Sequence, residues 1–203
     1  MIQTVQPKTR KSLILEIQKC IQHHGLKANL NHIDTSKITS MEKIFSFSSF
    51  DGDISQWNVS NVNIMWNMFQ DSLFNQDISQ WNVSNVIDMQ DMFSNSGFNQ
   101  DISNWNVSNV LDMSSMFFGS VFNQDISQWN ISNVKDFQHM FSKSKFTGDV
   151  SSWNPKMQIE RFISSEENPF VFKTFEQYRA ECEHRLLLKK YGSNLPKPTL
   201  QAL

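Results

Sequence analysis

Cysteines, glycines and long apolar runs are all scarce in this sequence of 203 residues. The two cysteines, Cys20 and Cys182, lie in opposite flanks of the chain, and two isolated thiols fit neither a disulfide framework nor a zinc site. Six glycines leave little scope for the glycine-rich loops that hold phosphate groups. No stretch approaches the roughly 18 apolar residues of a membrane-spanning helix. The first apolar run, residues 13–15, is interrupted by Glu16, so we expect no signal peptide.

The middle of the chain also lacks glutamate and arginine. Residues 50–149 contain 11 Asp and three Lys, which gives a net charge of -8 (3 minus 11). Nucleic-acid binding depends on neutralising phosphates with basic side chains, so we expect no nucleic-acid partner. The five histidines have no nucleophile or metal-ligand partner at a characteristic spacing. We therefore predict a chain that is not an enzyme and that holds no cofactor or metal.

A repeat of 24 residues dominates the sequence. Three middle units are nearly identical, and they read FNQDISQWNVSNVIDMQDMFSNSG from Phe74, FNQDISNWNVSNVLDMSSMFFGSV from Phe98 and FNQDISQWNISNVKDFQHMFSKSK from Phe122. Phe50 and Phe146 open two further units at the same spacing. A short, fixed period is typical of a solenoid, in which each unit buries its apolar side by stacking on the next.

The repeat divides the chain into three parts. Residues 1–25 are predicted to form an N-terminal capping helix, with Thr9 as N-cap and Gly25 as its end. Residues 26–154 form the repeat region, with a degenerate first coil at 26–49, repeats that begin at 50, 74, 98 and 122, and a partial repeat at 146–154. Residues 155–203 are predicted to form a C-terminal cap with a helix at about 174–191, followed by a loose tail.

Within one unit, two short elements are predicted. The alternating polarity around Ile102 favours a short strand that pairs in parallel with its equivalents. The spacing of the apolar residues from Val110 to Phe117 favours a short helical segment. We therefore expect an α/β solenoid of about five coils with helical caps at both ends. The side chains predicted to point inward in one unit are Phe98, Ile102, Trp105, Val107, Val110, Met113, Met116 and Phe117.

The run FNQDISxWNVSNVxxMxxMF resembles the repeat of the BspA-like leucine-rich-repeat surface proteins, a bacterial family also described by a surface-lipoprotein repeat. The resemblance covers about residues 30–154. It implies a right-handed, leucine-rich-repeat-like coil stack that works in adhesion and protein interaction without catalysis. It also implies a cell-surface or secreted location and a host or cell-surface ligand. Because we expect no signal peptide, the location is left open.

Two ladders of identical residues accompany the repeat. The tryptophans are expected to lie in the core rather than to form an open platform for sugar rings, because buried aromatic residues dominate core energetics. These are Trp57, Trp81, Trp105, Trp129 and Trp153. Asparagines follow four of them in Asn-x-Ser triplets, and we expect their side chains to bond the backbone of adjacent coils rather than to carry glycans. These are Asn58, Asn82, Asn106 and Asn130.

A third ladder consists of aspartates, namely Asp53, Asp77, Asp101, Asp125 and Asp149. Stacked carboxylates repel one another, so something must offset the repulsion. Backbone N–H donors at a turn are the favoured explanation. Bound Ca²⁺ is the alternative, although the neighbouring Gln and Ser residues supply fewer ligands than calcium normally takes.

Positions that vary between units are the candidates for function, because packing does not dictate them. The candidate partner-binding residues are Trp66, Ile87, Leu111, Phe118 and Lys135. Exposed apolar side chains of this kind mark interfaces when they cluster, and partial burial under a neighbouring segment is the alternative. We expect protein–protein recognition or adhesion through the solenoid surface. A calcium- or glycan-binding adhesive module and a structural surface antigen are the two alternatives.

Overall fold

A computed structural model describes residues 4–150 and 152–153. Within this part of the chain there is one α-helix, α1, which spans Arg10–His24. Its first turn is capped by Thr9, whose Oγ1 accepts a hydrogen bond from the N–H of Ser12 at 3.1 Å. The helix ends at Gly25, which has a φ of 78° and donates its N–H to the carbonyl of Ile21. Leu13 and Ile17 on α1 are buried in the same core as the first coil, so α1 covers that end of the repeats.

After α1, the 24-residue units lie side by side as a stack of coils joined by backbone hydrogen bonds. The N–H of Met65 donates to the carbonyl of Asp88 at 2.9 Å, and the N–H of Phe69 donates to the carbonyl of Met92 at 2.9 Å. Equivalent bonds join each coil to the next. Parallel bridges of single residues run through this ladder, and they pair Ser40 with Ile64, Ile64 with Asp88, Asp88 with Asp112, and Asp112 with Asp136.

The predicted α/β solenoid, with one strand and one helical segment in each coil, is wrong. Among the described residues, β-pairing is limited to isolated bridges and forms no sheet. The expected strand around Ile102 is a turn, in which the carbonyl of Ile102 accepts the N–H of Trp105 at 3.1 Å. The Oδ1 atom of Asp101 takes the N–H of Ser103 at 2.8 Å. These local bonds occupy the backbone groups that a strand would use for pairing.

The predicted helical segment is also wrong, because left-handed residues interrupt it. The N–H of Met92 donates to the carbonyl of Met89, and the residue before Met92, Asp91, has a φ of 52°. A second such turn follows at residues 93–96, where Asn95 has a φ of 53°. Positive φ at the third position is characteristic of type II turns and is incompatible with an α-helix. The left-handed residues of the described repeats are Lys43, Phe47, Asn67, Asp71, Asp91, Asn95, Ser115, Gly119, His139 and Lys143.

The predicted inward set of the third clear unit is confirmed, since all eight side chains are buried. Phenylalanine rings form its centre: the Phe93 and Phe98 centroids lie 4.2 Å apart, and Phe98 stacks on Phe122 of the next coil at 6.4 Å. The core therefore runs continuously from α1 to Trp153. The predicted C-terminal helix at about 174–191 and Cys182 lie outside the described residues.

Candidate interaction surface

The tryptophan ladder lies in the core. Trp57, Trp81, Trp105, Trp129 and Trp153 are all buried. The Nε1–H of Trp105 donates to the carbonyl of Ile78, one coil earlier, at 3.2 Å. Trp57 and Trp81 stack with their ring centroids 6.5 Å apart and nearly parallel planes. Each indole therefore joins two coils, and its faces are not open to a sugar ring.

The Asn-x-Ser asparagines bond within their own coil, which corrects the prediction of cross-coil bonds. Oδ1 of Asn82 accepts from the N–H of Ser84 at 3.2 Å and from the hydroxyl of Ser84 at 2.7 Å. Asn58, Asn106 and Asn130 make the same turn with Ser60, Ser108 and Ser132. Their side chains are exposed, so they cap a surface turn.

Asparagines at two other repeat positions join the coils, and neither position was among the predicted ladders. Nδ2 of Asn85 donates to the carbonyl of Ser60 in the preceding coil at 2.7 Å, and Asn61, Asn109 and Asn133 make the equivalent bond. Oδ1 of Asn75 accepts the N–H of Asn99 from the following coil at 2.8 Å. The signal was present in the sequence, because both positions hold Asn in successive units.

The predicted aspartate ladder is engaged with backbone N–H groups. Oδ1 of Asp101 accepts from Ser103, and Asp53, Asp77 and Asp125 make the same contact two residues on. The N–H and hydroxyl of Ser103 lower the pKa of Asp101, while partial burial and the charge of Asp125 oppose this shift. Asp149 belongs to the same repeat position and is exposed. In the described part of the chain, no three His, Cys, Asp or Glu side chains gather as metal ligands would.

Three of the five candidate partner-binding residues lie in one column, which we call the ridge. Its backbone is continuous: the N–H of Leu111 donates to the carbonyl of Ile87 at 2.9 Å, and the N–H of Lys135 donates to the carbonyl of Leu111 at 2.8 Å. Ile87 is 43% exposed and Leu111 is 37% exposed. The ridge comprises Thr39, Asn63, Ile87, Leu111 and Lys135, all of which are exposed.

The other two candidates occupy different columns and are partly covered. The indole of Trp66 lies under the Nζ of Lys43, which is 4.2 Å from the ring centroid. The ring of Phe118 lies 5.4 Å from the Nζ of Lys143. Both side chains are half-buried. Cation–π contacts of this kind stabilise the two rings within the chain itself. Because Trp66 and Phe118 lie in other columns than the ridge, the five candidates do not form one cluster.

An acidic row lies beside the ridge. It consists of Asp88, Asp112 and Asp136, the residues that directly follow Ile87, Leu111 and Lys135. Parallel bridges join the three aspartates in consecutive coils. Burial raises the pKa of Asp88; the N–H of Gln90 opposes this shift, and the charges of Asp112 and Glu42 add to it. The repeat thus places a column of carboxylates next to exposed apolar side chains.

Comparisons with known proteins place the chain in a family and assign it no activity. Residues 16–120 and 94–168 match a family described as "Mycoplasma protein of unknown function, DUF285", so the chain belongs to this family. No curated protein matches the chain, and no solved structure matches it. None of the helices in the described residues has the length and apolar character needed to cross a membrane. The resemblance to BspA-like repeats stays a hypothesis.

Proposed function

We propose that the coil stack is a non-catalytic module that binds a partner protein through the ridge. The observation that supports this proposal is the exposure of Ile87 and Leu111, which are adjacent on a backbone fixed by hydrogen bonds. Exposed apolar side chains that adjoin one another on an ordered surface are typical of protein interfaces.

The ridge combines a constant backbone with variable side chains. Its five members are Thr, Asn, Ile, Leu and Lys in chain order, whereas the inward positions of the same coils keep Val, Met and Phe with few exceptions. Packing fixes the inward residues, because each coil must fit onto the next. The ridge is free of that constraint, so its sequence sets which partner it contacts. Following the resemblance to BspA-like repeats, we propose a host or cell-surface protein as that partner.

Site-specific photo-crosslinking tests the proposal. We would place p-benzoylphenylalanine at Leu111 on the ridge and, as a matched control, at Asn104, which is exposed in the same coil. Irradiation of cells that express the chain, alone and with their host cells, should give a discrete protein adduct from position 111 and none from position 104. Ile87→Asn in the Leu111-labelled chain should reduce that adduct. Adducts of equal yield from both positions, or none from position 111, would contradict the proposal.

A further inference from the structure

Both the ridge and the acidic row are accessible from solvent, the side chains of the ridge being exposed and those of the row partly exposed. Val86 and Met89 are both buried, and the two residues between them, Ile87 and Asp88, are not. The next coil repeats this pattern, with Leu111 and Asp112 between buried Val110 and Met113. Exposed apolar side chains and partly exposed carboxylates therefore form two adjacent columns along the stack.

The acidic row has no cationic partner among the residues that the structure describes. The two ion pairs found there join Lys19 to Glu16 and Lys27 to Asp51, and neither involves the row. Carboxylates in adjacent coils repel one another; burial is the main reason that the pKa of Asp88 is raised, and the charges of Asp112 and Glu42 add to it. A cation from outside the coils would relieve that repulsion, and it would do so next to two exposed apolar side chains.

The spacing along the row selects the form of the partner. Single-residue parallel bridges place neighbouring coils about 4.8 Å apart, so the three aspartates span about 10 Å. In an α-helix, residues i and i+3 or i+4 are about 4.5–6 Å apart along the axis, and i and i+7 are about 10.5 Å apart. In an extended strand, side chains on one face are about 6.6 Å apart, so they no longer match the aspartates by the third one.

Resting on the proposed function above, we infer that the partner segment bound at the ridge is a basic amphipathic helix that lies along the coil stack. Its apolar residues contact Ile87 and Leu111, and its Lys or Arg residues face Asp88, Asp112 and Asp136. Charge complementarity carries this inference, because residues 50–149 have a net charge of -8 (3 Lys minus 11 Asp) and this face joins acidic to apolar groups. A helix laid in an apolar groove is a common mode of peptide recognition.

Binding to model peptides provides the first test. The probe is a fluorescein-labelled 18-residue helical peptide of Leu and Lys with all Leu on one face, and its matched control replaces every Lys with Glu. Fluorescence anisotropy with the purified full chain should show saturable binding of the Leu/Lys peptide that weakens with salt, and no binding of the Leu/Glu peptide. No binding of the Leu/Lys peptide would overturn the inference. Tighter binding of an extended peptide with alternating Leu and Lys would overturn the assignment of a helix.

Two triple variants separate the acidic row from charge in general. Asp88→Asn, Asp112→Asn and Asp136→Asn together remove the row, while Asp77→Asn, Asp101→Asn and Asp125→Asn remove the same charge from the aspartate ladder. Each of these aspartates accepts an N–H two residues on through Oδ1, a contact that Asn preserves. We expect the first variant to weaken Leu/Lys binding by about tenfold and the second by less than about twofold. Equal losses in the two variants would overturn the inference.

The cellular crosslink distinguishes this inference from the proposed function. The adduct at position 111 should fall in the Asp88, Asp112 and Asp136 triple variant and persist in the ladder triple variant. If the adduct is unchanged in both, the ridge binds a protein whose recognition does not use the acidic row, and only the further inference fails. If no adduct forms from the otherwise unaltered chain, the proposed function fails. Thermal melts of both variants establish that they remain folded.

Discussion

Nδ2 of Asn109 donates to the backbone carbonyl of Ser84, one coil earlier, at 2.7 Å. Three residues before it, Asn106 is an acceptor instead: its Oδ1 accepts hydrogen bonds from the N–H and the hydroxyl of Ser108. Two asparagines of one unit thus differ in role: one joins adjacent coils as a donor and the other closes a turn as an acceptor.

This difference predicts unequal responses of stability to the same substitution. Asn109→Asp removes the donor and sets a carboxylate against the Ser84 carbonyl, so we expect the free energy of unfolding to fall by about 1 kcal/mol or more. Asn106→Asp keeps both acceptor contacts and should change it by less than about 0.5 kcal/mol. Both variants add one negative charge, which makes them matched controls. Urea denaturation at pH 7 measures both, and equal losses would contradict the assigned roles.

The left-handed turns provide a second prediction. Ser115 has a φ of 53°, a conformation in which a side chain is unfavourable by about 1 kcal/mol or more and glycine is tolerated. Ser115→Gly should therefore be more stable than Ser115→Ala by about 1 kcal/mol. Thermal unfolding of the two variants gives the comparison. A more stable Ala variant would mean that this residue is not left-handed in solution.

Two glycines of the repeat region differ in the space beside them. A Cβ at Gly52 would overlap the carbonyl oxygen of Ala28, whereas the heavy atom nearest to a Cβ at Gly97 is 3.8 Å away, the oxygen of Leu73. Gly52→Ala should lower the free energy of unfolding by about 3 kcal/mol, because the backbone of the preceding coil must move. Gly97→Ala should raise it by about 0.5 kcal/mol through the lower entropy of the unfolded chain. Denaturant titration measures the free energy of unfolding of both variants. No change in Gly52→Ala would contradict the close approach of Gly52 to the carbonyl oxygen of Ala28.

The core and the N-terminal helix, with Thr9 and Gly25 as its caps, were predictable from the sequence, whereas the secondary structure of the repeats was not. A 24-residue period requires the same positions to be buried in every unit, and Phe98, Trp105 and Met113 are buried as expected. The apolar spacing from Val110 to Phe117 fits two consecutive turns as well as it fits a helix. Only the backbone angles separate these alternatives, and Ser115 has no side-chain property that signals a positive φ.

The candidate site was predictable only in part, because the sequence shows which positions vary and does not show which of them neighbouring coils cover. Variation between units pointed to Ile87, Leu111 and Lys135, which do share one exposed column. It also pointed to Trp66 and Phe118, because a sequence shows that a residue varies without showing what covers it. Lysines of other coil positions lie over those two rings. Such a contact depends on how coils stack, which is not visible along one unit.

The buried indole hydrogen bond predicts a graded response at Trp105. Trp105→Phe keeps an aromatic ring but removes the Nε1–H donor to the carbonyl of Ile78, which still accepts the N–H of Trp81, so we expect a loss of about 1 kcal/mol. Trp105→Ala also opens a cavity and should lose about 3–5 kcal/mol. Asn104→Ala, at an exposed neighbour, serves as the control and should change stability by less than about 0.5 kcal/mol. A melting curve of Trp105→Ala close to wild type would contradict the core position.

Two aspartates should respond to pH in opposite directions. Burial raises the pKa of Asp88 in the folded chain. The N–H of Gln90 lowers it in part, and the charges of Asp112 and Glu42 raise it further. An acid with a raised folded pKa binds its proton more tightly when folded, so its ionised form reduces stability as pH rises above the unfolded value of about 3.9. The pKa of Asp101 is lowered by the N–H and hydroxyl of Ser103, so its ionised form adds stability above the same pH.

Neutralising each carboxylate separates the two effects. At pH 7, Asp88→Asn should be more stable than wild type and Asp101→Asn less stable, since both variants keep the Oδ1 acceptor but lose the charge. The gain of Asp88→Asn should shrink as pH falls through the raised folded pKa of Asp88 towards about 3.9, because wild-type Asp88 is then protonated. The deficit of Asp101→Asn should shrink only below about 3.9, as pH falls through the lowered pKa of Asp101. Urea denaturation at pH 7, 5 and 3 measures both trends. A loss of stability in Asp88→Asn at pH 7 would contradict the raised pKa of Asp88 in the folded chain.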